Sequence, residues 1–143
     1  MNKKDFPHVN LAFIGGSSTY AINFPEDLKL SGVKVLSKKT FSTPFGESPE
    51  FKLLEVNGQS VLTLKMHGWR PGVSRADASK QIFWVLEKAG AKTILAEGGV
   101  GAIREDFALR DFFIPNDYID LSLRKDVYLT DKYLLIMRDP MCP

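Results

Sequence analysis

A strand, a helix and a second strand follow one another between residues 60 and 96, and this order limits the fold more than any other feature of the sequence. Ser60–Met66 is apolar and partly β-branched, as a strand requires. From Arg75 to Ala89 apolar residues recur at intervals of three and four, which predicts one amphipathic helix. Thr93–Ala96 is again short and apolar, which predicts a buried strand. Two strands joined through a helix lie parallel, with a right-handed crossover in nearly all cases, so we expect an α/β fold.

Further strands are predicted on both sides of this unit. Asn57-Gly58 is a hairpin signal between Phe51–Val56 and Ser60–Met66, because a type I′ turn needs positive φ at both central residues. The other expected strands are Val9–Ile14, which would be buried, Val33–Leu36, Phe112–Ile114 and Tyr133–Met137. Together these elements predict a mixed, largely parallel central sheet with flanking helices, in a single domain over residues 1–143.

Composition and charge exclude several classes of function. The 143 residues are 44% hydrophobic and 25% charged, which is ordinary for a globular protein, and the net charge is only +2. No run of lysine or arginine indicates a nucleic-acid or membrane surface, and no segment approaches the roughly 20 apolar residues that span a bilayer. The one cysteine, Cys142, excludes an internal disulfide and a multi-cysteine zinc site. We therefore expect a cytoplasmic protein whose ligands are small molecules.

Two glycine-rich turns follow predicted strands and are candidates for binding an anion. Gly15–Thr19 offers small and hydroxylated residues, and Glu97–Gly101 has three glycines that allow backbone N–H groups to approach a ligand closely. His67 follows the strand before the helix. Because ligands of such sheets collect at the carboxyl ends of the strands, these groups are expected to lie together. Each turn is also compatible with a plain polar turn, and His67 with an ordinary loop residue.

Five short motifs stand out along the chain. They are FIGGS at Phe13–Ser17, TPFGE at Thr43–Glu47, MHG at Met66–Gly68, GGVGAIREDFALRDFFIPNDYID at Gly98–Asp120 and MRDPMCP at Met137–Pro143. In order and in approximate spacing they resemble motifs of the purine nucleoside phosphorylase and methylthioadenosine phosphorylase family, although Arg110 replaces a glycine of that family. The resemblance implies a nucleoside phosphorylase-like form of the α/β fold, of which this chain carries the N-terminal half.

The activity that this resemblance implies is phosphorolysis. In the family, inorganic phosphate attacks C1′ of a purine nucleoside, of the 5′-methylthioadenosine or the 6-oxopurine type, and releases a free purine and a pentose 1-phosphate. The transition state resembles an oxocarbenium ion, so the protein contributes positioning and electrostatic stabilisation rather than covalent catalysis. Inorganic phosphate is the co-substrate, and neither a cofactor nor a metal is implied.

The resemblance also assigns roles to particular residues. Ser17 matches the hydroxyl residue that contacts phosphate, and His67 matches the phosphate-contacting histidine, which is the expected catalytic residue. Gly98 and Gly99 match the pair beside phosphate, ribose and base. Gly16 belongs to the same turn as Ser17 and is expected to contact the substrate.

The sequence departs from the family pattern beside the expected phosphate. Met66, a further expected substrate contact, stands where the family has an arginine, and methionine can neither donate a hydrogen bond nor neutralise charge. Arg70 is predicted to substitute for that arginine from the same loop and bind phosphate. Glu97 places a carboxylate next to the phosphate, which it would repel unless paired or protonated, so it is predicted to bind a sugar hydroxyl instead.

The sequence ends at Pro143, whereas chains of the family continue well beyond the corresponding motif. Two interpretations stay open: a fragment or half-length form of a phosphorylase, or a non-catalytic nucleoside-binding, anion-binding or structural subunit that keeps the fold without the reaction. Family members are typically trimers, and a half-length sheet leaves an unpaired strand edge. We therefore expect a homo-oligomer of the trimer type or a complex with a complementary C-terminal chain.

Overall fold

A five-stranded mixed sheet forms the centre of the fold. The computed structural model describes residues 5–66, 70–117 and 119. The elements, in chain order, are β1 (Leu11–Gly15), a 3-10 helix (Glu26–Leu28), β2 (Val33–Lys39), β3 (Ser42–Thr43), β4 (Gly46–Glu47), β5 (Phe51–Val56), β6 (Gln59–Lys65), α1 (Arg75–Lys88) and β7 (Thr93–Ala96). The strands of the large sheet are ordered β2-β5-β6-β1-β7, and β3 pairs with β4 separately.

Strand β1 lies in the middle of the parallel part of the sheet. It pairs in parallel with β6 on one side and with β7 on the other, whereas β5 pairs antiparallel with both β6 and β2. The predicted parallel relation of β6 and β7 is confirmed, but the two are not neighbours, because β1 lies between them. The sheet is mixed, as predicted, with its parallel character confined to β6, β1 and β7.

The turn at Asn57-Gly58 forms the β5–β6 hairpin that the sequence predicts. Asn57 has a φ of 49° and Gly58 a φ of 81°, so both central residues lie in the left-handed region. The backbone N–H of Asn57 also donates to the carbonyl of Gly32 at 2.8 Å, and a Cβ on Gly32 would clash with the Asn57 side chain. Glycine at position 32 thus allows the start of β2 to contact the hairpin turn.

The helix α1 begins at its predicted cap. The hydroxyl of Ser74 accepts a hydrogen bond from the backbone N–H of Asp77 at 3.0 Å, which satisfies one of the N–H groups left free at a helix start. The helix ends at Lys88, one residue earlier than predicted, with Ala89 as its C-cap and Gly90 following at a φ of 78°. In the described part of the chain, no helix is long and apolar enough to cross a membrane.

The core lies between one side of α1 and one face of the sheet. The helix contributes Ile82, Val85 and Leu86, which are at most 2% exposed. Buried sheet residues of the same cluster come from β1, β5 and β6, and they are Ala12, Ile14, Phe51, Leu62 and Leu64. Full burial of a large aliphatic or aromatic side chain stabilises a fold by about 1.5–3 kcal/mol, so this layer holds α1 against β1 and β6.

The prediction of a buried strand at Thr93–Ala96 is only half correct. The strand forms as β7, but all four of its residues are exposed. Its apolar composition indicates a buried position, yet in the described structure β7 is the last strand of the sheet and pairs only with β1. Burial depends on what covers a strand, which the short pattern of β7 does not specify.

The strand predicted at Phe112–Ile114 is wrong, because these residues form neither strand nor helix. Phe112 and Ile114 are almost completely exposed. A β-strand exists only where a neighbouring strand pairs with its N–H and C=O groups, and no described strand pairs with this stretch. The strand predicted at Tyr133–Met137 lies outside the described residues.

We expect the replacement Ser74→Ala to destabilise the protein by about 1 kcal/mol, because α1 loses its side-chain cap. The free energy of unfolding, obtained from urea titrations followed by circular dichroism, measures the effect. Ser79→Ala is the matched control, since Ser79 lies within the same helix and its hydroxyl donates to the carbonyl of Arg75 one turn earlier. An equal loss of stability in both variants would contradict the capping role.

Candidate functional site

The carboxyl ends of β6, β1 and β7 meet at one edge of the sheet. The strand register aligns the last residues of β1 and β6, Gly15 and Lys65. The residues that follow are tied across the sheet by their backbones: the N–H of Met66 donates to Gly15 at 2.9 Å, and the N–H of Glu97 donates to Ile14 at 3.1 Å. The predicted meeting of these strand ends is therefore confirmed for the described residues.

The turn after β1 holds a carboxylate. We call the donor groups of Gly16, Ser18 and Thr19 the 16–19 cradle. The Oε1 atom of Glu97 accepts hydrogen bonds from the backbone N–H of Gly16, the backbone N–H of Thr19 at 3.2 Å and the hydroxyl of Thr19 at 3.0 Å. Its Oε2 atom accepts from the hydroxyl of Ser18 at 2.6 Å and from the backbone N–H of Ser18 at 3.4 Å. The turn binds an anionic group, and that group is a side chain of the same chain.

These contacts determine the charge of Glu97. The hydrogen bond from the Ser18 hydroxyl is the largest cause that holds the pKa of Glu97 at about 2, below its ordinary value of 4.5. Partial burial acts in the opposite direction, and the donors of Ser18, Gly16 and Thr19 together outweigh it. Glu97 is therefore ionised at neutral pH. Among the described residues, no group of three or more His, Cys, Asp or Glu side chains is arranged to hold a metal ion.

Glycines allow the turns after β1 and β7 to approach each other. A Cβ on Gly16 would clash with the carbonyl oxygen of Glu97. The hydroxyl oxygen of Ser17 accepts a hydrogen bond from the backbone N–H of Gly99 at 2.7 Å, and a Cβ on Gly99 would lie only 2.6 Å from that oxygen. Two of the residues predicted to contact phosphate, Ser17 and Gly99, are thus in direct contact.

Among the described residues, the outer side of this site is exposed. Ser17 and Gly98 are both exposed, and apart from its chain neighbours no described residue lies within 4 Å of the place where a Cβ on Gly98 would be. A small ligand can therefore reach this side of the two turns. The predicted site residues Gly16, Ser17, Gly98 and Gly99 lie together at the ends of β1 and β7.

The loop after β6 starts at the same edge. Met66 is 38% exposed, and its backbone hydrogen bond to Gly15 places it directly beside the turn that leads to the cradle. His67 lies outside the described residues, so its predicted role in binding phosphate stays a prediction.

Arg70 contacts a different part of the molecule. Its guanidinium donates to the carbonyl of Glu47 at 3.0 Å and to the side-chain oxygen of Gln81, while the amide nitrogen of Gln81 donates to the carbonyl of Phe45 at 2.6 Å. These groups line a hollow of about 390 Å³ that includes no residue of the 16–19 cradle. The described hydrogen bonds of Arg70 therefore tie the β3–β4 turn to α1, and its predicted substitution for the phosphate-binding arginine stays a prediction.

The partner of Glu97 differs from the one predicted from the sequence. The prediction was a sugar hydroxyl, whereas the structure places the carboxylate on Ser18 and Thr19, with which a sugar hydroxyl would have to compete. A signal was present, because small hydroxyl residues follow one strand end and a glutamate directly follows another. The two signals come together only through the pairing of β1 with β7, which no local pattern in the sequence specifies.

The family of the chain follows from comparison with known proteins. A sequence model of the phosphorylase superfamily matches residues 10–143. The chain belongs to this superfamily. This match and the curated relatives together confirm the resemblance to nucleoside phosphorylases. The segments that follow β1, β6 and β7 all lie within the matched range.

Curated relatives are nucleoside phosphorylases. The chain is 27% identical to the S-methyl-5′-thioadenosine phosphorylase of Hyperthermus butylicus, over 96% of this chain and 51% of that protein. It is 24% identical to the probable S-methyl-5′-thioinosine phosphorylase of Methanothermobacter thermautotrophicus, over 92% and 46%. It is 29% identical to the probable 6-oxopurine nucleoside phosphorylase of Archaeoglobus fulgidus, over 71% and 42%. The chain spans about half the length of the curated relatives it matches.

Solved structures with a similar fold include two methylthioadenosine phosphorylases. One comes from an antarctic soil metagenomic library, with 23% identity and a TM-score of 0.46 over 62% of this chain and 29% of that chain. The other, from Schistosoma mansoni in complex with adenine, has 23% identity and a TM-score of 0.46 over 62% of this chain and 30% of its own.

We expect Glu97 to make stability depend on pH in acid. Because its pKa is about 2 in the folded state and ordinarily 4.5, its contribution is complete above about pH 5 and is lost as the pH falls toward 2. Glu97→Gln should lower the free energy of unfolding at pH 7 by about 1 kcal/mol. Hydrogen bonds to charged groups contribute about 1.5–3 kcal/mol, and the smaller value is expected here because solvent screens this partly exposed site.

Urea titrations between pH 7 and pH 2.5 measure this difference. Glu26, whose pKa is also about 2, remains in both proteins, so the difference between wild type and variant isolates Glu97. The difference should shrink as the pH falls. A difference that stays constant over this range would show that the Glu97 charge does not stabilise the fold.

Proposed function

We propose that the chain provides the phosphate-binding and ribose-binding side of a purine nucleoside phosphorylase. The reaction is the phosphate-dependent cleavage of a purine nucleoside, of the 5′-methylthioadenosine or the 6-oxopurine type, to a free purine and a pentose 1-phosphate. The observation that carries the proposal is the junction of the turns at Gly16–Ser17 and Gly98–Gly99 at the carboxyl ends of parallel strands. In the described structure of this member of the phosphorylase superfamily, the junction leaves Ser17 and Gly98 exposed, and the Ser17 hydroxyl keeps its proton to donate.

The chemistry needs positioning more than reactive side chains. A phosphate oxygen forms a bond to C1′ while the bond from C1′ to the purine nitrogen breaks, and the electron pair of that bond leaves with the base. Hydroxyl and backbone donors hold the phosphate beneath C1′. Ser17 suits this role because its oxygen accepts from Gly99, which leaves its proton to donate. His67 would complete the phosphate contacts from the loop after β6, and Arg70 and Met66 belong to the same loop.

Two observations favour a second candidate, a non-catalytic nucleoside-binding, anion-binding or structural subunit. The donors of the 16–19 cradle are engaged by Glu97, and the uncharged Met66 borders the site. Such a subunit would keep the arrangement of the turns while lacking the charge that an attacking phosphate requires.

Phosphate-dependent release of a purine separates the two candidates. We expect methylthioadenosine or inosine to be converted to free base and pentose 1-phosphate only when inorganic phosphate is present. The assay is run on the chain alone and with the C-terminal half of a relative added, and chromatography quantifies both products. Ser17→Ala should reduce the rate about tenfold or more through loss of one hydrogen bond to an anion, whereas Ser79→Ala on α1 should not. Absence of phosphate-dependent release under both conditions would favour the non-catalytic subunit.

We also propose that the exposed side of β7 is covered by another chain, either a second copy in a trimer-type homo-oligomer or a complementary C-terminal chain. The outer edge of β7 has no partner strand in the described structure, and Ile103, Leu109, Phe112 and Ile114 nearby in sequence are almost fully exposed. Light scattering at micromolar concentration should give a mass above that of the 16.0 kDa chain. A monomer, alone and after addition of the C-terminal half, would contradict this.

A further inference from the structure

The carboxylate of Glu97 fills the 16–19 cradle. Its two oxygens accept five hydrogen bonds, three on Oε1 and two on Oε2. A carboxylate offers about four lone-pair sites, so both oxygens are saturated. In turn, the donors of Gly16, Ser18 and Thr19 converge on this one internal anion, although the Thr19 hydroxyl also lies 3.4 Å from the carbonyl oxygen of Gly16.

These donors are of the kind that binds phosphate. Successive backbone N–H groups in a turn form a concave site for anions, and hydroxyls add charge-assisted hydrogen bonds. A phosphate arriving at this turn would find its donors already hydrogen-bonded to Glu97 and would be repelled by the negative charge of that carboxylate. Two like charges that share a site are strongly disfavoured, so phosphate and the Glu97 carboxylate cannot occupy the cradle together.

We propose that Glu97 is an internal competitor of phosphate, which occupies the 16–19 cradle and must leave it before phosphate binds there. The proposal rests on the proposed function, because it concerns the phosphate of that reaction. It makes Glu97 a residue that sets affinity for the anion.

The side chain of Glu97 can leave without disturbing the strand ends. The backbone N–H of Glu97 is held by Ile14 at 3.1 Å, so the strand end stays in place when the side chain rotates. No cation of the described chain forms an ion pair with this carboxylate. Apart from its chain neighbours, no residue in the described part of the chain lies within 4 Å of a Cβ placed on the neighbouring Gly98. Of the contacts that the described residues make with this carboxylate, leaving breaks the hydrogen bonds of the cradle, which water can replace at this partly exposed position.

Calorimetric titration with inorganic phosphate tests the competition. Glu97→Gln removes the charge with almost no change of shape, and we expect phosphate to bind about tenfold to a hundredfold more tightly than to the wild type. Glu97→Asp, one methylene shorter, retains the charge but reaches the cradle less well, so its affinity should be intermediate. Glu87→Gln is the matched control: it changes the net charge equally on the exposed end of α1, and it should leave the affinity unchanged.

A second measurement follows the carboxylate itself. The ¹³C resonance of the Glu97 carboxyl group reports its titration midpoint, which should rise toward the ordinary value when saturating phosphate displaces the side chain from the cradle. The Glu87 carboxyl group serves as the reference in the same spectra. This measurement uses the wild-type protein and does not depend on the folding of any variant.

The outcomes separate this inference from the proposed function. Equal, measurable phosphate affinities of wild type and Glu97→Gln, or a Glu97 midpoint unmoved by saturating phosphate, would overturn the competition and leave the proposed phosphorolysis intact. Absence of phosphate binding to wild type and all variants would overturn the competition, and purine release in the phosphorolysis assay would then decide the proposed function separately. Tighter binding to Glu97→Gln without catalysis would support the competition in a non-catalytic protein.

Discussion

The pairing of β1 with a parallel strand on each side is the constraint on which the candidate site depends. Because β6, β1 and β7 run in the same direction, their carboxyl ends coincide, and three loops that are far apart along the chain start from one edge. The buried layer between the sheet and α1 holds β1 and β6 in this arrangement. The pairing of the three strands therefore fixes the positions of Met66, Gly16 and Glu97 relative to one another.

At that edge, electrostatics determines which group accepts the hydrogen bonds of the 16–19 cradle. A turn that directs several N–H and hydroxyl groups to one point is stable only when something accepts their hydrogen bonds, since unsatisfied donors are costly where water has limited access. The Glu97 carboxylate satisfies this need within the chain, and the low pKa of the group reflects the same contacts. The arrangement that stabilises the turn is thus also the arrangement that opposes an external anion.

Local features of the fold were predicted well from the sequence, because they depend on neighbouring residues. Asn57-Gly58 adopts the positive φ values that its turn requires, and Ser74 caps the helix that its spacing predicts. The long-range features were not predicted. These features depend on strand order: the position of β1 between β6 and β7, the exposure of Thr93–Ala96, and the hydrogen bonds of Glu97 to Gly16 and Thr19, which lie 81 and 78 positions before it in the sequence. No pattern within a short stretch specifies strand order. The chemistry of the turn was predictable, since its donors are visible in the sequence, but the identity of its anion was not.

The close approach between Gly16 and position 97 has an evolutionary consequence. The contact that requires glycine at position 16 is made by the carbonyl oxygen of residue 97, which every amino acid possesses. The side chain at position 97 contributes nothing to that backbone contact. A single codon change at position 97 therefore changes which acceptor the donors of the turn meet, while the requirement for glycine at position 16 stays the same. The group that occupies the turn and the close approach of the two main chains are thus set by different atoms of the same residue.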